Sequence, residues 1–184
     1  MNKKELKECL KADFKQTLKD VSFQHILFSF CTSSSAWKRW KFIKAMRRAS
    51  YHEELFRKKR IYHVFPMIFY LRRCNKLGNL LGFEIKGTNI GKGLTLYHNG
   101  PIVINRDAVV GTYCKLHGDN CIGNNGISKD CPIIGNNVDI GVGAKILGRV
   151  VLADNIIVAA GAVVVKSFLE PGITIGGVPA CKIK

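Results

Sequence analysis

A length of 184 residues allows one domain or two, and an apolar content of 47% is ample for a buried core. The longest apolar run, Val64 to Leu71, is too short to span a bilayer, and the seven cysteines, an odd number with no Cys-x-x-Cys pair, read as core fillers rather than a disulfide frame or a zinc site. Met1 to Asp20 is charged throughout and shows no export signal, so the thiols are expected to be reduced core fillers in a protein made and kept in the cytoplasm.

The formal net charge of +16 is unevenly placed: the first 80 residues carry 19 Lys/Arg against 6 Asp/Glu, and residues 81 to 184 carry 10 against 7. Residues 3 to 20 predict a helix with Leu6, Leu10, Phe14, Leu18 and Val21 on one stripe and lysines elsewhere. Thr32 to Ser35 is a polar break. Ser34 or Ser35 then caps a second helix through Trp37, Trp40, Phe42, Ile43 and Met46, followed by a third stretch from about Tyr51 through Phe69 that Pro66 kinks or interrupts. His25, His52 and His63 read as packing or surface residues of this segment. Its chemistry suits peripheral contact with the inner face of a membrane, where cations meet anionic headgroups and aromatics enter the interface. The commoner use of such a pattern is a packing face between helices or subunits with solvated lysines. A sequence pI near 9.8 also suits nucleic acid, but no reader motif is present and none is expected as a partner.

From Ile104 to Val164 an apolar residue recurs at every sixth position: Ile104, Val110, Leu116, Ile122, Ile134, Ile140, Ile146, Leu152, Val158 and Val164, with Ser128 the one polar interruption. A 3.6-residue helix cannot keep such positions on one face, and two-residue alternation would not single out every third inward position. Small or apolar residues fill the place four further on, at Ala108, Cys114, Val138, Ala144, Val150, Ile156 and Ala162, and Gly or Ala often follows the aliphatic. The pattern predicts the hexapeptide repeat of a parallel β-helix, a prism with three short faces per turn. The fold class is therefore mainly β, with a basic α-helical segment over 1–82 and the β-helix over 83–184. Two irregularities stand out. The step from Leu96 to Ile104 is eight residues and contains His98, and the Gly/Asn-rich stretch Gly123 to Cys131 has the composition of a loop.

The run from Ile90 to Asn105, the run Pro132 to Gly148 and the ending Gly176-Gly177-Val178-Pro179-Ala180 together resemble the serine acetyltransferase family of hexapeptide-repeat acyltransferases, over about residues 84 to 184. The helical segment resembles, more loosely, the shortened leading part of members encoded for surface-polysaccharide assembly. The resemblance implies a left-handed parallel β-helix, a homotrimer that in some members stacks into a hexamer, and acetyl-CoA as donor in the groove between neighbouring coils, with no metal. It makes His98, in Tyr97-His98-Asn99-Gly100, the general base that takes the acceptor's hydroxyl proton. An alcohol is a poor nucleophile at neutral pH and imidazole is suited to accept its proton, with a backbone N–H stabilising the oxyanion.

The acid that orients the base in the family lies some fifteen positions upstream, and Glu84 is the nearest match, one residue short of that spacing. Serine-specific members have Asp where this chain has Tyr97, and Arg-His-Pro where it has Asp130-Cys131-Pro132. The cation that would meet an amino acid's carboxylate is missing, so a sugar hydroxyl of a surface polysaccharide or its precursor is the expected acceptor, with L-serine as the alternative. His117, nineteen residues after His98, is expected on the same face and joins Tyr97, Asp130 and Cys131 on the acceptor side. Cys131 is a poor nucleophile beside Asp130. For coenzyme A the resemblance points to Val142, Gly143 and Ala144 and to Ala159, Ala160, Gly161 and Ala162, where small side chains leave backbone amides accessible. Lys166 and Lys182 suit its phosphates. A third reading, from another class, is a non-catalytic trimeric scaffold that holds a membrane or polyanion through its helices.

Overall fold

Asn2 opens the first helix, α1 (Lys3–Thr17), with a full capping box: its side chain accepts from the Glu5 amide while the Glu5 carboxylate accepts from the Asn2 amide. The computed structural model describes residues 1–18 and 22–184, so Val21 and the expected extension of α1 to residue 20 lie outside the described residues. Ser22 caps α2 (Phe23–Cys31), a helix the sequence pattern did not announce. Ser34, not Ser35, caps α3 (Ser35–Arg57), accepting from the Trp37 amide at 3.3 Å. This helix runs unbroken through Tyr51, so the expected second and third elements are continuous up to the turn at Lys58, where Lys59 takes φ +60°. Pro66 neither kinks nor interrupts. It sits in the first turn of α4 (Val64–Leu81), where a missing N–H costs no intrahelical bond. Gly82 ends α4 in the left-handed region.

The chain then winds five coils of a left-handed parallel β-helix. The first holds β1 (Phe83–Ile85) and β2 (Thr95–Leu96), joined through a bridge at Ile90. The second holds β3 (Ile102–Ile104), β4 (Val109–Val110) and β5 (Lys115–Leu116), and the third β6 (Asn120–Gly123), β7 (Ile133–Ile134) and β8 (Asp139–Ile140). The fourth is β9 (Lys145–Leu147), β10 (Val151–Leu152) and β11 (Ile157–Val158). The fifth is β12 (Val163–Val164), a bridge at Phe168 and β13 (Thr174–Gly177), against which β14 (Ala180–Lys182) folds back antiparallel. The first face stacks β1-β3-β6-β9-β12, the second β4-β7-β10, and the third β2-β5-β8-β11-β13-β14.

Every repeat aliphatic from Ile104 to Val164 is buried, as is each of the seven small or apolar slots between Ala108 and Ala162. Asn120 takes the small-residue position before Ile122, its side-chain nitrogen donating to Gly141 O at 2.8 Å, and Pro132 the one before Ile134. Burial pushes the thiols of Cys74 and Cys114 up to about 11, in keeping with cysteines used as packing groups.

The open first coil would expose Ile85, Leu94 and Leu96 to water, and α3 and α4 cover it with Phe42, Ile43, Met46 and Leu81 in one continuous core. Phe42 meets Phe83 edge-on at 5.2 Å. A charged clamp fixes the register. Arg47 on α3 donates to both carboxylate oxygens of Asp13 on α1 (2.8 and 3.2 Å) and to the carbonyls of Ile90 and Gly91, while Asp13 Oδ1 accepts the amides of Gly93 and Leu94 at 2.7 and 3.0 Å. Both side chains are almost wholly buried, and every contact in this network replaces one with water.

Candidate active site

His98 lies where the chain leaves the third face for the first. Tyr97 still follows the ladder, donating its amide to Leu116 O at 3.0 Å, and the eight-residue step then carries residues 97 to 99 outward onto an exposed corner. The flanks hold that corner in place. Asn99 accepts from Arg39 Nη1 and donates to Ser35 Oγ, at 3.2 and 3.3 Å, and the Gly100 amide donates to Leu81 O at the end of α4. His98 is thus positioned by the junction between helices and prism.

Beneath His98 the corner is a column of glycines in the left-handed region: Gly118, Gly143 and Gly161. A Cβ on Gly118 would come within 3.5 Å of the His98 Cβ, so no side chain screens the imidazole from the coil below. The Gly143 amide donates to Gly118 O and the Gly161 amide to Val142 O, at 2.9 and 2.8 Å. The amides of Val142 and Ala160, in between, find no acceptor among the described residues. They are donors available to a ligand laid along the corner.

The other expected donor residues fare differently. Ala144 and Ala162 are fully buried, and their amides are taken by turns to Gly141 O and Ala159 O, so they shape the corner from inside rather than touch a ligand. The Ala159 amide is likewise in the ladder, bonded to Ile175 O. Lys166 is exposed and lies over the Phe168 ring, whereas Lys182 is neutralised by Glu170 at 2.7 and 2.8 Å and is not a free phosphate ligand.

Of the residues expected on the acceptor side, Tyr97 and His117 stack, with ring centroids 4.5 Å apart and planes at 26°. Asp139, which sequence reasoning missed, holds His117 Nε2 at 2.7 Å and Lys115 Nζ at 3.2 Å. Its signal was available: Asp139 precedes a repeat aliphatic and stands opposite Lys115 in register, two residues from His117 on an outward slot. Asp130 and Cys131 are not part of this group in the single chain. They lie in the loop between β6 and β7, at the edge where the first face gives way to the second. The Cys131 thiol is pushed up by burial, then by Asp107 and Asp130, which leaves little thiolate.

Glu84 does not orient His98. Strand alternation turns it outward in the middle of the first face, opposite Val103, and no hydrogen bond joins its carboxylate to the imidazole. Among the described residues no group of three or more His, Cys, Asp or Glu side chains is placed to hold a metal ion.

No model of a known protein family matches the chain. It is 35% identical over 112 residues to the serine acetyltransferase of Synechococcus elongatus, covering 59% of this chain and 46% of that protein. With the serine acetyltransferase of Helicobacter pylori strain J99 it shares 32% over 122 residues, 64% of this chain and 71% of that one. A protein assigned by name to colanic acid biosynthesis, the acetyltransferase WcaB of Escherichia coli K12, matches at 34% over 97 residues, covering 52% and 60%. The chain therefore spans about half the length of the first of these relatives. Among solved structures, soybean serine acetyltransferase superposes with a TM-score of 0.76 at 27% identity, covering 98% of this chain and 69% of that one. The Neisseria gonorrhoeae serine acetyltransferase in complex with serine gives 0.74 at 26% (99% and 70%), and the Brucella abortus enzyme in complex with coenzyme A gives 0.72 at 25% (98% and 68%).

Proposed function

The chain belongs to the serine acetyltransferase family of hexapeptide-repeat acyltransferases, and from that premise we propose that it transfers an acetyl group from acetyl-CoA to a hydroxyl of a small acceptor. The observation that carries the reading is the corner itself: an exposed imidazole at one of the two breaks in the repeat, above a glycine column with two amides unbonded among the described residues. His98 takes the hydroxyl proton as the acceptor oxygen attacks the thioester carbonyl, and coenzyme A leaves as thiolate. The Val142 and Ala160 amides receive the carbonyls of the pantetheine arm, much as an added strand would be received. Direct transfer needs no acyl-enzyme, and the raised Cys131 thiol is unsuited to forming one. Donor and acceptor meet in a homotrimer, along the flank of a neighbouring prism.

L-serine is the acceptor that the relatives favour, which reverses the order of preference read from the sequence. A sugar hydroxyl is kept as the second reading on a specific observation. The Tyr97–His117 stack presents a flat ring edge with hydrogen-bonding tips, suited to a pyranose, and the chain carries Asp130 where serine-specific members carry a cation. Release of coenzyme A thiol, measured with L-serine beside a panel of monosaccharides, tests both. Turnover with serine alone removes the sugar reading, and no release with any hydroxyl acceptor from folded protein removes the transferase.

A further inference from the structure

Between α3 and α4 runs a groove of about 330 Å³ whose walls carry four cations, Lys41, Lys44, Arg48 and Arg73, and no carboxylate. Among the described residues the acids of the helical segment lie elsewhere. Glu5, Glu8, Glu53 and Glu54 line a separate cleft against the first coil, where Glu53 holds Arg57 and Arg106 and Glu54 holds Lys58 and the N-terminus. Among the described residues the groove cations have no acidic partner, and three of them lie over aromatic rings: Lys41 over Trp37, Lys44 over Trp40, and Arg48 over Tyr70. Burial, followed by the like charges of Arg48 and Arg73, lowers the Lys44 pKa, as expected where cations crowd without a counter-ion. Trp37 keeps its indole N–H buried with no acceptor among the described residues.

Along α4, Phe65, Phe69 and Arg73 follow at four-residue steps on one side, so the groove opens directly onto an apolar ridge. Phe65 is 78% exposed and Ile61, in the turn before it, 73%. Lys59 and Arg60 precede this ridge and Arg72 and Lys76 follow it, with no acidic partner for any of the four among the described residues. Among the described residues no helix is long and apolar enough to cross a membrane, which leaves contact in the plane of the surface.

We propose that groove and ridge together dock on an anionic membrane surface, with a lipid phosphate seated among Lys44, Arg48 and Arg73 and with Phe65 and Phe69 in the interface. Charge selects this occupant over a second copy of the chain, since two such faces would oppose cation to cation. The proposal is independent of the acetyl-transfer reading, because binding is measured without either substrate.

Trp37 and Trp40 are the only tryptophans of the chain, so intrinsic fluorescence reports on the groove itself. Full-length protein is titrated with phosphatidylcholine vesicles, with and without phosphatidylglycerol, and with inorganic pyrophosphate, and pelleting is scored in parallel. The expected result is pelleting and an emission change with the anionic vesicles only. Lys44→Gln and Arg73→Gln should each weaken binding roughly fivefold, and Phe65→Ser should strip the residual binding that survives high salt. Circular dichroism checks that each variant stays folded. Equal binding to neutral vesicles overturns the role of the cations. An emission change with pyrophosphate but no pelleting assigns the groove to a soluble phosphate compound and overturns the membrane. A concentration-dependent oligomer that Phe65→Ser dissolves, with no vesicle binding, assigns the ridge to a second copy.

Discussion

Tyr97 lies flat against His117 at 4.5 Å, and Asp139 grips the same imidazole at 2.7 Å, although the three residues are spread over more than forty positions of chain. Winding makes them neighbours, because successive coils place Leu96, Leu116 and Ile140 in one register and carry the outward residues beside them into a column. Asp139 fixes the orientation of the His117 ring through Nε2. The column therefore presents one flat aromatic face and one imidazole held by a carboxylate, which the proposed function gives to the acceptor.

Replacing His117 should act on the acceptor and not on the donor. His117→Ala is expected to raise the acceptor KM roughly 2- to 10-fold, from the loss of about 0.5–1.5 kcal/mol of aromatic contact, with the acetyl-CoA KM unchanged. Asp139→Asn should reproduce part of that change. Steady-state kinetics with each substrate varied in turn decides the matter, and a change confined to the acetyl-CoA KM would place the column on the donor side.

His98→Ala should lower kcat by about 10²- to 10⁴-fold, the usual worth of a positioned general base, with the circular dichroism spectrum and thermal midpoint retained because the residue is exposed on a corner. Glu84→Gln, by contrast, should leave turnover within about twofold, since its carboxylate makes no bond to the imidazole. A loss with Glu84→Gln comparable to that of His98→Ala would restore the acid to the mechanism.

Asp13→Ala should be among the most destabilising single changes in the chain. It strands the buried Arg47 guanidinium and removes the acceptor of two amides, at a cost of about 3–5 kcal/mol. The double variant Asp13→Leu with Arg47→Met should be milder than Asp13→Ala, because no charge remains unpaired. Urea midpoints of the three proteins check the order.

Glycines of the prism should separate into two classes. A Cβ on Gly111 would stand 2.3 Å from the Gly135 carbonyl oxygen, so Gly111→Ala must push two coils apart and is expected to cost about 1–3 kcal/mol or more. A Cβ on Gly161 meets nothing within 4 Å, so Gly161→Ala bears only the strain of φ +69°, about 1 kcal/mol, but should raise the acetyl-CoA KM. Thermal midpoints and donor kinetics distinguish the two.

The α3–α4 hairpin carries a pH-dependent element. His52 and His63 approach through their Nδ1 atoms at 2.7 Å, and burial, then His63 and Arg48, lower the His52 pKa below its ordinary value. A histidine harder to protonate in the folded state binds fewer protons there than when unfolded. Stability should then be fullest above about pH 6.5 and fall as the pH drops through that value toward the depressed one. His52→Gln should flatten the fall in thermal midpoint between neutral and mildly acidic pH.

The prism was legible because each short face turns one repeat aliphatic and one small or apolar residue inward, which writes a six-residue period; even Ser128, the missed beat, marks the loop that leaves the coil. His98 was legible as the other break in that period. The Asp13–Arg47 clamp was not, since it joins α1 to α3 across 34 residues and no spacing rule links them. Glu84 was matched on motif distance, which does not tell which way a strand residue points; it faces outward opposite Val103 and makes no hydrogen bond to His98. Pro66 was read as an interruption although its preceding turn makes it a helix starter. The Asp139 contact follows from register rather than from local sequence, and register becomes visible only once the coils are stacked.

At the far end of the solenoid, β14 reverses and pairs antiparallel with β13, Ile175 opposite Lys182, while α3 and α4 seal the near end over Phe83 and Leu96. On the third face the reversed β14 occupies the edge that a further parallel coil would need, and at the other end the helices take the place of a preceding coil. Winding from one copy into the next is thereby opposed on that face, whereas the His98 corner opens on a flank of the prism.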